Sequence, residues 1–411
     1  MAHFVLFEDT AHFSLLPLTY TRPVFALRSG ILTNQERWEK ALEASVGGYA
    51  YDYLQPVFGG RPQQDEEIIW INGSLIPDGD LLKLIQEIGP DEYAKGADGK
   101  ILVARFKPSK LSEDHSGIIT AEWADENGLK VHSTSLDPLH FSVSPDIFRL
   151  NRQLIAHDLE YLLKTETFQD VTDPYTRIYG KDNLFVAEGA QVRAAIINAE
   201  DGPIYVGPHS KVSEGAIIIN SHALCAHATV QPGAKLRGDS TFGPWVKVGG
   251  EVGNSVIMGY ANKGHDGYLG NSVIGYWCNL GADTNTSNLK NNYASVKIWN
   301  YQNQRFLNTG LQFCGLIMGD HSKCGINTMF NTGTVIGVSA NIFGGGFPRN
   351  FIPSFAWGGA SGFTTYQYKR AMGVADVVMK RRKIALTQED QDILKAVFEL
   401  SAEYRVWDKK A

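Results

Sequence analysis

The chain has 411 residues, of which 43% are hydrophobic and 20% charged, with a formal net charge of −6. That length provides for two or three domains with substantial cores, and the mild acidity argues against nucleic acid or an anionic membrane as a partner. No apolar run reaches the roughly twenty residues that cross a bilayer, and MAHFVLFEDT lacks the basic and apolar regions of a signal peptide, so a cytoplasmic enzyme of small molecules is expected.

Residues 1–165 read as an α/β domain. HFVLFED has the pattern of a strand, and Thr33 with Glu36 forms a capping box that opens the helix TNQERWEKALEAS. EEIIWING and KILVARF read as further strands and DGDLLKLIQEI as a helix. The amphipathic stretch SPDIFRLNRQLIAHDLEYLLKTE is expected to be a connecting helix that closes this domain.

From 175 to 350 the period changes. Apolar residues recur at every sixth position: Val206, Val212, Ile218, Leu224, Val230, Leu236, Phe242 and Val248. A second phase runs through Val246, Val252 and Met258, and a third through Met318, Cys324, Phe330, Ile336 and Ile342. A six-residue period with Gly, Pro, Asn and Ser between the apolar sites predicts a left-handed parallel β-helix of hexapeptide repeats. The flat faces of such a prism favour side-by-side packing, so a homotrimer is expected. The four cysteines, Cys225, Cys278, Cys314 and Cys324, all fall in this region without a C-x-x-C pair and read as buried reduced thiols.

Residues 364–408 read as helical, with YQYKRAMGVADVVMKRRKIAL followed by a second helix capped at Thr387. The run Lys380, Arg381, Arg382, Lys383 reads as a solvated helix face, with contact to a neighbouring subunit or a cofactor phosphate as the alternative.

One stretch of the repeat, ANKGHDGYLG at 261–270, carries polar residues where a scaffold needs small and apolar ones. Lys263-Gly264-His265-Asp266-Gly267-Tyr268-Leu269-Gly270 resembles the K-A-G-H-L-T-Y-L-G of the bifunctional N-acetylglucosamine-1-phosphate uridyltransferase/glucosamine-1-phosphate acetyltransferase family. Cys278 to Thr284 is similar to that family's V-N-I-G-A-G-T, Asn288 to the Asn of its T-x-x-N-Y, and Gly243, Pro244 and Lys247 to its G-P-x-x-R. The resemblance implies acetyl transfer from acetyl-CoA to an amino-sugar 1-phosphate. On it, His265 is the general base, a role suited to a side chain that ordinarily titrates near pH 6.5. Tyr268 would hydrogen-bond the sugar phosphate, and Lys247 and Lys263 would neutralise it. Asn279 and Asn288 would hold sugar hydroxyls or the amine, Lys297 would stand in for a further family lysine, and the backbone near Ala282 would lie beside the thioester. The chain departs from the family at V-E-M-K, whose lysine is Gly259 here. His222 and His227 have a spacing used by β-helical zinc enzymes, but the upstream region near Val186 supplies no third histidine.

LLPLTYTRPVFALRSGILT resembles the opening of sugar-1-phosphate nucleotidyltransferases through Leu15, Pro17, Leu18, Thr19 and Pro23. FEDTAHFS replaces the glycine loop whose amides cradle a triphosphate. Glu8 and Asp9 would repel that triphosphate unless Mg²⁺ intervened. Thr19, Arg22, Arg28 and Gly73 remain as candidate nucleotide or phosphate contacts, with Ser74 in place of a magnesium-binding aspartate and Asp78 nearby. The implied protein is a sugar-nucleotide enzyme feeding UDP-N-acetylglucosamine or a related sugar, with acetyl transfer in the β-helix and a reduced nucleotidyltransferase-like N-terminal domain. The alternatives are a nucleotidyltransferase that uses the β-helix only to trimerise, and a non-catalytic sugar-nucleotide-binding protein.

Overall fold

A computed structural model describes residues 3–408, and the chain divides into two compact units. The first takes in residues up to Leu15, Thr21–Leu27 and Leu32–Val143; the second takes in Leu16–Tyr20, Arg28–Ile31 and everything from Ser144 onward. By internal packing the division falls at 143/144.

The first unit holds a mixed sheet of six strands: β1 (His3–Phe7), β2 (Val46–Tyr49), β3 (Ile68–Asn72), β4 (Glu92–Lys95), β5 (Ile101–Phe106) and β6 (Lys130–His132), in the order β2-β1-β3-β5-β4-β6. β1 runs parallel to β2 and β3, and β5 runs antiparallel to β3 and β4. β3, IIWIN, is buried at every position, as a strand covered on both faces requires. Trp70 stacks on Phe106 with ring centroids 4.7 Å apart. The capping box forms as expected, with Thr33 accepting from Glu36 N at the start of helix Asn34–Leu42.

In the second unit the expected connecting helix is broken at Leu150 into Asp146–Arg149 and Asn151–Thr165. Buried polar groups explain why this segment belongs with the β-helix. Asn151 Oδ1 accepts from Gly30 N at 2.7 Å and from Thr241 Oγ1 at 2.8 Å, and Asp158 Oδ2 accepts from Ile31 N at 2.8 Å.

The β-helix has three faces of short strands, stacked six, nine and ten deep. On the nine-stranded face one inward column runs Val186, Val206, Leu224, Phe242, Ile257, Ile274, Met318, Ile336 and Ile352. All nine are buried, and each contributes about 1.5–3 kcal/mol of hydrophobic stabilisation. On the ten-stranded face Val192, Val212, Val230 and Val248 form a second column, and the next residue in register is Lys263. The second phase is buried throughout but does not continue as a regular hexad series. Val246 and Met258 are buried, but the inward register passes from Val248 through Val252 to Ile257, because the coil shortens there.

Residues 287–314 leave the repeat and include an antiparallel hairpin, Lys297–Asn300 with Arg305–Asn308. The coils resume at Leu316–Met318 and run past 350, through Phe351–Ile352 and Ala356–Gly359, before helices Tyr368–Lys380 and Gln388–Leu400. Thr387 caps the last helix in a box with Asp390. All four cysteines are free and buried. No helix among the described residues is long and apolar enough to cross a membrane.

Candidate functional site

The polar stretch singled out in the sequence forms a corner of the β-helix. Strand Asn262–Lys263 lies on the ten-stranded face, Tyr268–Gly270 lies on the six-stranded face, and Gly264–Gly267 turns between them. Neighbouring coils approach here at backbone distance. Gly267 sits at φ +109°, where a Cβ would lie 2.2 Å from Thr284 O; Gly250 sits at φ +71°, where a Cβ would lie 2.7 Å from His265 O. Only glycine accommodates both the dihedral and the contact. The tight backbone holds His265 at the apex. Its side chain is exposed and its ring has no hydrogen-bond partner among the described residues.

Lys263 is the clearest correction. It was expected to meet a phosphate, yet it occupies an inward hexad position and is 1% exposed. Its ammonium donates to the carbonyls of Gly249 (3.1 Å), His265 (2.5 Å) and Asp266 (3.3 Å). Burial lowers its pKa to about 8, against the raising effect of the Asp266 charge. From inside the coil it fixes the backbone that presents His265, and its ammonium is not available to phosphate.

Two openings flank Lys247 and Asn262. The first is an open cleft of about 640 Å³ that also contains His265, Asp266, Ala282 and Asp283. The second is a narrower cavity of about 240 Å³ that also contains Asn279, Lys323, Arg381 and Arg382, and no carboxylate. Its apolar wall is Trp277 stacked on Tyr260 at 4.3 Å. Arg382 lies over the Trp245 ring at 5.6 Å. Burial, then the neighbouring Arg381 charge, lowers the Arg382 pKa, and burial lowers that of Lys323. Four cations gathered without an acid form a ready anion site. Of the basic run 380–383, Arg381 is exposed and Arg382 half-buried, and both line this cavity, which agrees with the anion-contact alternative as well as with a solvated face.

The remaining predicted contacts scatter. Tyr268 and Asn288 pair with each other (3.0 Å) beside Arg237, and neither lines the two openings. Lys297 lies on the inserted hairpin in a different cleft. The structure thus brings together His265, Lys247 and Ala282, with Asn279 in the adjoining cavity; Tyr268, Asn288 and Lys297 line neither opening, and Lys263 lies beneath the corner with its ammonium turned to backbone carbonyls.

The N-terminal candidates are also divided. Arg22 and Gly73 belong to the first unit, while Thr19 and Arg28 belong to the second, where Thr19 is fully buried and Arg28 donates to the Ile31 carbonyl. The Glu8 carboxylate is buried: it is bonded to His12 Nδ1 (2.8 Å) and accepts from Val24 N (2.9 Å) and Tyr51 N (2.7 Å). Asp9 accepts from Ala11 N and Asn72 Nδ2. Ser74 Oγ donates to Asn72 Oδ1, and Asp78 caps the following helix. These committed carboxylates do not fit a Mg²⁺ site, and among the described residues no three His, Cys, Asp or Glu side chains are grouped to hold a metal. His227 stacks between His209 and Trp245, and His222 is wholly buried with its pKa lowered by burial to about 4.

Residues 4–167 match a family model described as sugar nucleotidyl transferase, a transferase family, over less than half of the chain. No curated protein matches this chain. Among solved structures, the N-acyltransferase AntD from Bacillus cereus is 11% identical, with 54% of this chain and 96% of that one covered at a TM-score of 0.23. The UDP-N-acetylglucosamine acyltransferase LpxA from Bacteroides fragilis is 14% identical, with 58% and 85% covered at 0.27. A hexapeptide transferase family protein from Anaplasma phagocytophilum is 10% identical, with 56% and 92% covered at 0.23. Likeness at this level decides nothing about activity.

Proposed function

We propose that the chain is an acyltransferase that moves the acetyl group of acetyl-CoA onto the amine of an amino-sugar 1-phosphate at the His265 corner. One observation carries this reading: an exposed, uncommitted histidine shares a cleft with Lys247 and the backbone of Ala282, and Lys247 also faces a cavity of four cations. The sugar phosphate takes the four-cation cavity, where Lys247, Lys323, Arg381 and Arg382 neutralise it. Asn262 and Asn279 orient the ring. The amine reaches past Lys247 to His265 Nε2 or Nδ1, which takes its proton as nitrogen attacks the thioester carbon. The C–N bond forms, the C–S bond breaks, and the His265 imidazolium passes the proton to the sulfur, so that coenzyme A leaves as the thiol. No covalent enzyme intermediate is needed.

The N-terminal unit, on this reading, binds a sugar nucleotide without transferring it, because the loop that would hold a triphosphate has its carboxylates turned inward onto the unit's own amides. A homotrimer belongs to the same reading; Tyr179, Ile196 and Ile219 are exposed on the six-stranded face. The test is His265→Ala, assayed by thiol release from acetyl-CoA with glucosamine 1-phosphate. The expected loss is about 100-fold or more in kcat, with unchanged thermal stability. Wild-type turnover by the variant would remove His265 from the mechanism.

A further inference from the structure

The longest departure from the repeat, residues 287–314, helps build a second cleft that the His265 corner does not use. The hairpin Lys297–Asn300 with Arg305–Asn308, the coil at Arg349–Phe351 and the C-terminal stretch Glu403–Trp407 surround about 800 Å³. That is the size of a small-molecule site.

Its lining is of two kinds. One is aromatic. Trp299 stacks on Phe351 with centroids 4.3 Å apart and planes 11° from parallel. Phe306 meets Trp299 edge-on at 5.4 Å and is itself 41% exposed. Trp299 Nε1 is buried with no hydrogen-bond partner, an orphaned donor that a folded chain ordinarily avoids. The other kind is cationic. Lys290, Lys297 and Arg349 face a single carboxylate, Glu403. Lys290 donates to Ser295 O and Glu403 accepts from Gln304 Nε2, so both are committed. Lys297 and Arg349 have no hydrogen-bond or ion-pair partner among the described residues.

Aromatic faces beside two uncommitted cations suit a planar base that carries phosphates. Stacking on an aromatic side chain accepts any base, and Lys and Arg neutralise the phosphates. A simple anion would leave the aromatic wall unused, and an apolar ligand would strip water from Lys297 and Arg349 without replacing it. We infer that this cleft is a nucleoside-diphosphate site, separate from the His265 corner. The inference does not depend on acyl transfer.

Calorimetric titration of the full chain with uridine diphosphate, adenosine diphosphate and inorganic pyrophosphate tests it. At least one nucleoside diphosphate should bind tenfold or more tightly than pyrophosphate. The double variant Lys297→Ala/Arg349→Ala should weaken that binding at least tenfold, and Phe306→Ala should weaken it severalfold. His265→Ala should leave it unchanged. All four side chains are exposed, so the variants should keep the wild-type circular dichroism. The inference is overturned if neither diphosphate binds, if pyrophosphate binds equally well, or if the double variant binds like the wild type.

Discussion

Two polar segments stand where phosphate chemistry is expected from the sequence: Glu8–Ser14 in the N-terminal unit and Lys263–Asp266 in the β-helix. In the first, the Glu8 carboxylate is bonded to His12 Nδ1 and to two distant backbone amides, and Asp9 accepts from two more donors. Those side chains hold the loop together and have little left for a ligand. In the second, the work is split between neighbours. Lys263 turns inward and satisfies three carbonyls, which leaves His265 two residues later exposed and uncommitted. The identity of a polar residue therefore says less than the number of partners it already has. The same difference separates Lys263 from Lys247, which lines both openings.

The comparison can be broken most sharply through Lys263. A lysine whose folded pKa is lowered to about 8 releases its proton more readily folded than unfolded, so stability should rise as pH climbs from about 8 towards 10.5. Relative to Lys263→Met, the wild type should gain about 3 kcal/mol over that window, read by denaturant unfolding at each pH. A flat difference would mean that the ammonium reaches solvent. Glu8→Gln should come next, costing about 2 kcal/mol of stability because a buried acceptor of several donors is impaired. It should leave acetyl transfer at permissive temperature as it was; loss of transfer in a folded variant would return function to that loop. Lys247→Ala should raise the KM for the sugar phosphate about tenfold while changing kcat less, as expected for a ground-state phosphate contact. Tyr268→Phe and Asn288→Ala should change turnover less than about threefold. A tenfold loss in either would bring the six-stranded face into the site.

Much of the β-helix was legible because most inward positions carry a bulky apolar side chain at six-residue spacing, with small and polar residues between. Val206 to Val248 and Met318 to Ile342 announce themselves in this way. The stretch between them was harder to read, since Lys263 and Thr286 occupy buried strand positions and the coil shortens at Val252. Lys263 nonetheless lies six residues after Ile257 and six before Leu269, a spacing that marks it as inward. Its burial is not plain from residue type, because the carbonyls of His265 and Asp266 in its own corner and of Gly249 in the preceding coil are what satisfy it. The four-cation cavity was only partly legible: the basic run stood out, but Arg381 and Arg382 lie just past the end of helix Tyr368–Lys380, more than a hundred residues beyond Lys247, and nothing in the sequence placed them beside it. In the N-terminal unit the missing glycine loop was plain in FEDTAHFS. The inward turn of Glu8 was not, because Val24 and Tyr51 are remote in sequence.

The central claim is that chemistry takes place at the β-helix corner and not at the N-terminal loop. One reaction mixture tests it: the full chain with acetyl-CoA, glucosamine 1-phosphate, UTP and Mg²⁺, followed simultaneously for free thiol and for pyrophosphate. The account predicts thiol release without pyrophosphate. Pyrophosphate without thiol would contradict it, placing catalysis in the N-terminal unit and reducing the His265 corner to scaffold.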